Sequence, residues 1–327
     1  MRAVGKFLIG LILSGIAVHG VASDSNLFRF EGKTYSADQA SPKLRTQLYD
    51  LELQYYEQRQ ALADELLFEL YVDAEAAKRG VSTAALRREF LDVPAIQEDE
   101  LRAFYDANAA RINQPYDQMR ERIRQHLRDQ QLRDAKLKVL AKVKEDHDFE
   151  LLTAPPESPA LEIATDGYPR KGAKAARFTI VEFGDYQCPH CGKAAQVLHR
   201  LVESYPEDVQ VIYMDFPINR SGISRIVAEG AACALRQEKF WPYHDLAYAR
   251  QSELNDRSPM EFATILGLDE VAFAECITGR GAKAHVARSA DEARRLGLSA
   301  TPSIFVNGRP LRSRHLERDL QRLIDGA

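Results

Sequence analysis

The chain has 327 residues, 45% of them hydrophobic, with 44 Lys and Arg against 48 Asp and Glu and a net charge of −4. That length exceeds one small domain, so two are expected. Nothing in the charge calls for nucleic acid, and mixed signs over most of the length argue for a soluble protein. The first element, Met1-Arg2-Ala-Val-Gly-Lys6, puts a basic head before an apolar run to Val18 and small residues at 20–23. Head, short apolar middle and small-residue end describe a secretory signal peptide, residues 1–23, short and Gly-rich for a membrane span, with an uncleaved N-terminal anchor as the alternative. Losing Arg2 and Lys6 with it takes the net charge from −4 to −6. Export would place the four cysteines, all after this segment, where they can pair.

Residues 24–150 read as a helical domain. Apolar and polar residues alternate around Glu31-Gly32, the mark of a small hairpin. Ser41-Pro42 supplies an N-cap and a first-turn proline, no Gly or Pro interrupts residues 43–79, and Gly80 supplies the stop. Leu44, Leu48, Leu51, Tyr55, Leu62, Leu66 and Leu70 form one stripe on this helix. At 1.5 Å per residue it is about 55 Å long, so the stripe is expected to pack on later helices or on another subunit. Helices follow at about 83–90, at 97–110 with Glu98, Asp99 and Glu100 in the first turn, and from Pro115 towards Val143. Residues 151–175, rich in Pro and Gly, read as a linker, an edge strand at 161–163 and a loop.

The densest chemistry lies at Phe178-Thr-Ile-Val-Glu-Phe-Gly-Asp-Tyr-Gln-Cys188-Pro-His-Cys191, an apolar strand that stops at a turn and runs into a helix. Cys188 then sits at the helix start, where unpaired N–H groups stabilise a thiolate, the form that attacks disulfides. Cys191, one turn on, can close a disulfide onto Cys188 or resolve a mixed disulfide. Pro189 suits the first helical position, and a protonated or donating His190 would add to the stabilisation. Zinc ligation is the competing reading, but structural zinc needs four ligands and there is no second close Cys pair. A structural disulfide across two residues would constrain almost no loop. Downstream, Thr301-Pro302 opens an apolar strand that Asn307-Gly308 closes as a hairpin.

Together these two motifs resemble the DsbA-like thioredoxin-fold thiol–disulfide oxidoreductases over residues 176–327. The resemblance implies an α/β thioredoxin fold with a helical insertion at about 220–297, preceded by an all-α domain. It implies a cis Pro302 with Thr301 beside the Cys188 sulfur, and a buried acid, Glu182, that relays a proton to Cys191. It also implies a second disulfide, Cys233 to Cys276. Trp241 and His244 read as packing residues, and no cofactor or metal is called for. Implied partners are unfolded or partly folded exported proteins and a membrane redox protein, a DsbB-like oxidase or DsbD-like reductase, in the periplasm. Residues 27–146 are similar to the chaperone region of SurA-like folding factors, which carries the alternatives of a homodimer through the N-terminal helices, an isomerase or reductase acting as an oligomer, or a holdase with a secondary redox site.

Overall fold

The computed structural model describes residues 26–109 and 112–326; the expected signal peptide lies outside them. Two compact units result, one holding the described residues up to Tyr49 together with those from Ser158 onwards, the other Asp50–Glu157. The sequence reading kept 24–150 together, but the segment before Asp50 groups with the C-terminal residues. Arg45 donates to the Ala160 carbonyl at 3.1 Å, and Gly297 has no Cβ because Lys43 lies against it.

The opening hairpin pairs β1 (Asn26–Phe30) with β2 (Lys33–Ser36), turned by Glu31 and Gly32, both at positive φ as a tight two-residue hairpin turn requires. Helix α1 (Pro42–Arg79) ends where Gly80 takes φ +67°. Within the Asp50–Glu157 unit follow α2 (Thr83–Phe90), capped by the Ser82 hydroxyl, α3 (Glu98–Ala107) and α4 (Tyr116–Asp146). Helix α3 stops three residues before the expected 110 because Asn108 turns back and donates its side chain to the Phe104 carbonyl. The unit's cores are Phe68, Val72, Ala76, Leu86 and Leu140, and Ile96, Leu101, Tyr116 and Ile123. The predicted stripe does not build them. Leu51, Tyr55, Leu62, Leu66 and Leu70 are all exposed, because the core uses the neighbouring face of α1 through the i, i+4, i+8 series Phe68, Val72 and Ala76.

In the other unit a five-stranded sheet runs β3 (Arg170–Gly172), β5 (Val209–Asp215), β4 (Phe178–Gly184), β6 (Ser303–Val306), β7 (Arg309–Leu311). Strands β4 and β5 are parallel and the other neighbours antiparallel. Helix α5 (Pro189–Ser204) joins β4 to β5, and α11 (Leu316–Asp325) ends the chain. Between β5 and β6 stand α6 (Ile223–Arg236), α7 (Phe240–Ala249), α8 (Ser258–Ile265), α9 (Glu270–Thr278) and α10 (Arg280–Arg295). This is a thioredoxin fold carrying a helical insertion. The expected edge strand at 161–163 is not one; β3 takes that place. The Leu161 N–H instead meets the Gly308 carbonyl at 2.9 Å, and Arg295 takes the Glu162 carbonyl at 2.6 Å, so loop contacts satisfy this backbone without a ladder.

Strand alternation sorts the core. Phe178 and Ile180 join Leu198, Leu201 and Val202 of α5 and Leu320 and Ile324 of α11. Val181 and Phe183 face Ala290 and Ala293 of α10, with Phe183 edge-on to Phe305 at 6.0 Å. Fully burying each such aromatic contributes about 1.5 to 3 kcal/mol. The consequence for function is that Glu182 has the parity of Ile180 and lies on the α5 side. Among the described residues no helix is long and apolar enough to cross a membrane.

Candidate active site

Strand β4 is flanked on both sides, so the turn that leaves it starts from a rigid base. Asp185 holds that turn. Its buried carboxylate accepts the N–H groups of Gln187 (2.7 Å), Ile218 (2.8 Å) and Asn219 (3.0 Å) and the Ser224 hydroxyl. From the insertion, the Gln251 amide donates to the carbonyls of Tyr186 (2.7 Å) and Cys188 (2.9 Å). Neither Asp185 nor Gln251 was singled out from sequence. A Gly-Asp pair at a strand end is a weak signal for the first, and nothing local marks the second.

Cys188 is the N-cap of α5 and Pro189 its first residue. The Cys188 sulfur is half-buried, whereas Cys191, one turn inside, is 0% exposed; both are free thiols. The Cys188 sulfur lies 3.2 Å from the Thr301 carbonyl, to which it donates only when protonated, and the Thr301–Pro302 peptide is cis. The fold thus brings Cys188 and Thr301, 113 residues apart, into contact.

The two thiols differ sharply in acidity. Cys188 is lowered to about 5, first by a hydrogen bond from the Cys191 side chain, then, against burial, by the Thr301 side chain and the N–H groups of Cys191 and His190. Cys191 is raised, by its bond to the Cys188 sulfur, by burial and by the charge of Glu182. At neutral pH the outer sulfur is a thiolate and the inner one a thiol that donates to it. The His190 N–H is among the groups that serve the Cys188 sulfur, and the residue itself is exposed.

Glu182 is 1% exposed, and its Oε1 has no hydrogen-bond partner among the described residues. Burial, with the Cys188 charge second, raises it to about 8. A second buried acid, Asp215, stands opposite Gly184 at the end of β5 and is raised to about 8 by burial and the Asp185 charge. Sequence reading missed it, since an Asp closing an apolar strand usually faces water. In the insertion, Cys233 of α6 and Cys276 of α9 form a disulfide with Cα atoms 5.8 Å apart. Among the described residues no group of three or more His, Cys, Asp or Glu could hold a metal ion.

Residues 164–326 match the Thioredoxin family. Among solved structures, oxidised BdbD from Bacillus subtilis is 19% identical with a TM-score of 0.48, over 52% of this chain and 98% of that one. A thioredoxin-like oxidoreductase from Silicibacter pomeroyi is 28% identical with a TM-score of 0.44, over 49% and 92%. Among curated proteins, Na(+)/H(+) antiporter NhaA 3 of Salinispora tropica is 34% identical over 140 residues, which are 42% of this chain and 21% of the antiporter. The chain therefore spans about a fifth of the length of that relative.

Proposed function

We propose that the protein is a periplasmic thiol–disulfide oxidoreductase that exchanges disulfides with exported proteins through Cys188 and Cys191. The observation that carries this is the paired asymmetry of the two sulfurs, one a half-buried thiolate at a helix start beside Thr301, the other a sealed thiol one turn behind it. In the oxidised protein a client thiolate attacks Cys188, Cys191 leaves, and a second client thiolate displaces Cys188 from the mixed disulfide. The client gains a disulfide and the protein two electrons, which a membrane redox partner then removes. Stabilising the Cys188 thiolate stabilises the reduced form and makes the disulfide an oxidant. The Cys233–Cys276 disulfide supports an oxidising compartment. The test is oxidation of a reduced, unfolded client protein by the oxidised chain: Cys188→Ala should abolish it, and survival of the activity in that variant would end the proposal.

The helical unit supports a second role, self-association. Leu51, Tyr55, Leu62 and Leu66 are 64%, 61%, 70% and 56% exposed and follow steps of 4, 7 and 4 residues, placing them on one face of α1 as in a two-helix seam. Paired catalytic domains suit isomerase work, which rescue of a scrambled client would detect. A concentration-independent monomer mass would remove this role. If such a monomer still suppresses aggregation as Cys188→Ala, the client-holding function of the SurA-like resemblance takes its place.

A further inference from the structure

A cavity of about 10 Å³ is lined by Glu182, His244, Asp245, Lys171, His199 and Trp241 among others. That is room for one water, and water occupies such sites only where polar partners await it. Two are present. Glu182 Oε1 and His244 Nε2 are both buried without a hydrogen-bond partner among the described residues. An orphaned buried polar atom costs about 1 to 3 kcal/mol, so two lining the same small space call for a shared partner. His244 is otherwise held from all sides. Tyr213, Tyr248 and Trp241 place ring centroids 4.7, 4.9 and 5.2 Å from its own, and its Nδ1 meets the Asp245 carboxylate at 2.9 Å. Asp245 is half-exposed, with 51% of its side chain in solvent.

We propose that His244 is the outer member of a proton path to Cys191, passing protons between Glu182 and solvent through a cavity water on one side and the Asp245 carboxylate on the other. The inference rests on the disulfide-exchange reading above and names a residue that composition alone marks as packing.

A client thiolate forms a bond to Cys188, the Cys188–Cys191 bond breaks, and Cys191 leaves with the electron pair inside the protein. Glu182, protonated, gives its proton to Cys191. The resulting carboxylate takes one from the water, which takes the Nε2 proton of His244, while Nδ1 takes a proton delivered from solvent at Asp245. The imidazole ends with Nδ1–H donating to the carboxylate and Nε2 as an acceptor facing inward, which the 2.9 Å contact between Nδ1 and Asp245 accommodates. When a disulfide-bearing partner reoxidises the pair, the same chain runs outward and resets the tautomer.

The charges around the imidazole agree with this assignment. Burial first, with Lys171 and His199 further down, lowers its pKa against the pull of Asp245, so it rests neutral. From β3, Lys171 Nζ lies 2.6 Å from His199 Nδ1 on α5, and His199 Nε2 is 3.2 Å from Glu203. Glu182 faces in from β4, and the phenols of Tyr213 and Tyr248 bond each other at 2.9 Å and do not interrupt the path.

The test is single-turnover reduction of the oxidised full chain by dithiothreitol, followed from pH 5 to 9, for the wild type, His244→Phe and His244→Ala. The expected result is a slowing on the order of 10-fold or more near pH 7 in both variants, a rate that rises with buffer concentration, and recovery of His244→Ala by added imidazole. Cys188 in the reduced variants should still titrate near 5, showing the nucleophile intact. Should the His244 variants not fold, Asp245→Asn carries the test and should displace the pH profile. Wild-type rates and profile in the variants, or an equal slowing at every pH without buffer or imidazole response, would overturn the path alone. A wild type inert to dithiol would overturn the proposed function and the path with it.

Discussion

The hydrogen bond from the Cys191 thiol is the first cause of the low Cys188 pKa of about 5. Cys191→Ala removes that donor, and Cys191→Ser replaces it with a hydroxyl. A hydrogen bond to a charged group contributes about 1.5 to 3 kcal/mol, or about 1 to 2 pKa units at 1.36 kcal/mol each. Solvent reaches the half-buried sulfur and holds the effect to the lower end. The Ala variant should therefore titrate near 6 and the Ser variant near 5. With Cys233 and Cys276 joined, Cys188 is the remaining thiol in both, so absorbance at 240 nm against pH reads it alone. At pH 5.5, a rise of one unit cuts the thiolate fraction about threefold, and alkylation by iodoacetamide should slow by the same factor. An Ala variant that still titrates at 5 would refute the assignment and leave the backbone N–H groups and Thr301 as the whole cause.

Further outcomes follow from the same structure. Because the folded pKa of Glu182 is raised, its share of stability is complete below its unfolded value of 4.5 and is lost as pH rises through about 8. In the oxidised protein, where Cys188 carries no charge and burial alone raises Glu182, Glu182→Gln should flatten the fall in unfolding free energy measured in urea over that window by up to about 5 kcal/mol; parallel curves would contradict the burial. Asp215, raised from 3.8 to about 8, should leave a residual slope of the same sign in that variant. Replacing both Cys233 and Cys276 by Ala opens a loop of 43 residues and should cost up to about 4 kcal/mol in denaturant, with an unchanged midpoint refuting a stabilising role. A Cβ at Gly184 would stand 2.6 Å from the Tyr213 ring, so Gly184→Ala should cost about 1 to 3 kcal/mol by thermal melting.

What sequence conveyed and what it withheld divide along physical lines. Helix α1 was legible at both ends because its boundary signals are local: Ser41-Pro42 before it, Gly80 after it. Its exposed face was not, because a stripe of leucines records what could be buried and says nothing about which neighbour arrives. The edge strand was displaced from 161–163 to Arg170–Gly172 for the same reason, since both segments are short and only the register with β5 distinguishes them. At the site, Cys188 and Cys191 announce themselves by spacing on one helix. Asp185 holds the turn from its own segment and Gln251 from the insertion, and their roles exist only once residues 33 and 65 positions apart meet. His244 looked like packing because it is packed; only the orphaned nitrogen, a property of three-dimensional surroundings, separates it from its aromatic neighbours.

The central claim, that the reduced pair is held down by a stabilised Cys188 thiolate, is tested most directly by the redox equilibrium of Cys188–Cys191 with glutathione. At pH 7 a thiol at about 5 in place of one at 9.0 favours the reduced form by up to about 2 decades, about 60 mV toward the oxidising side, reduced by solvent screening to about 20 to 60 mV. Set against the about −270 mV of thioredoxin, that margin predicts a potential of about −250 to −210 mV. A pair that equilibrates at or below about −270 mV, the potential of a reductant, or that forms no disulfide at all, would contradict the account.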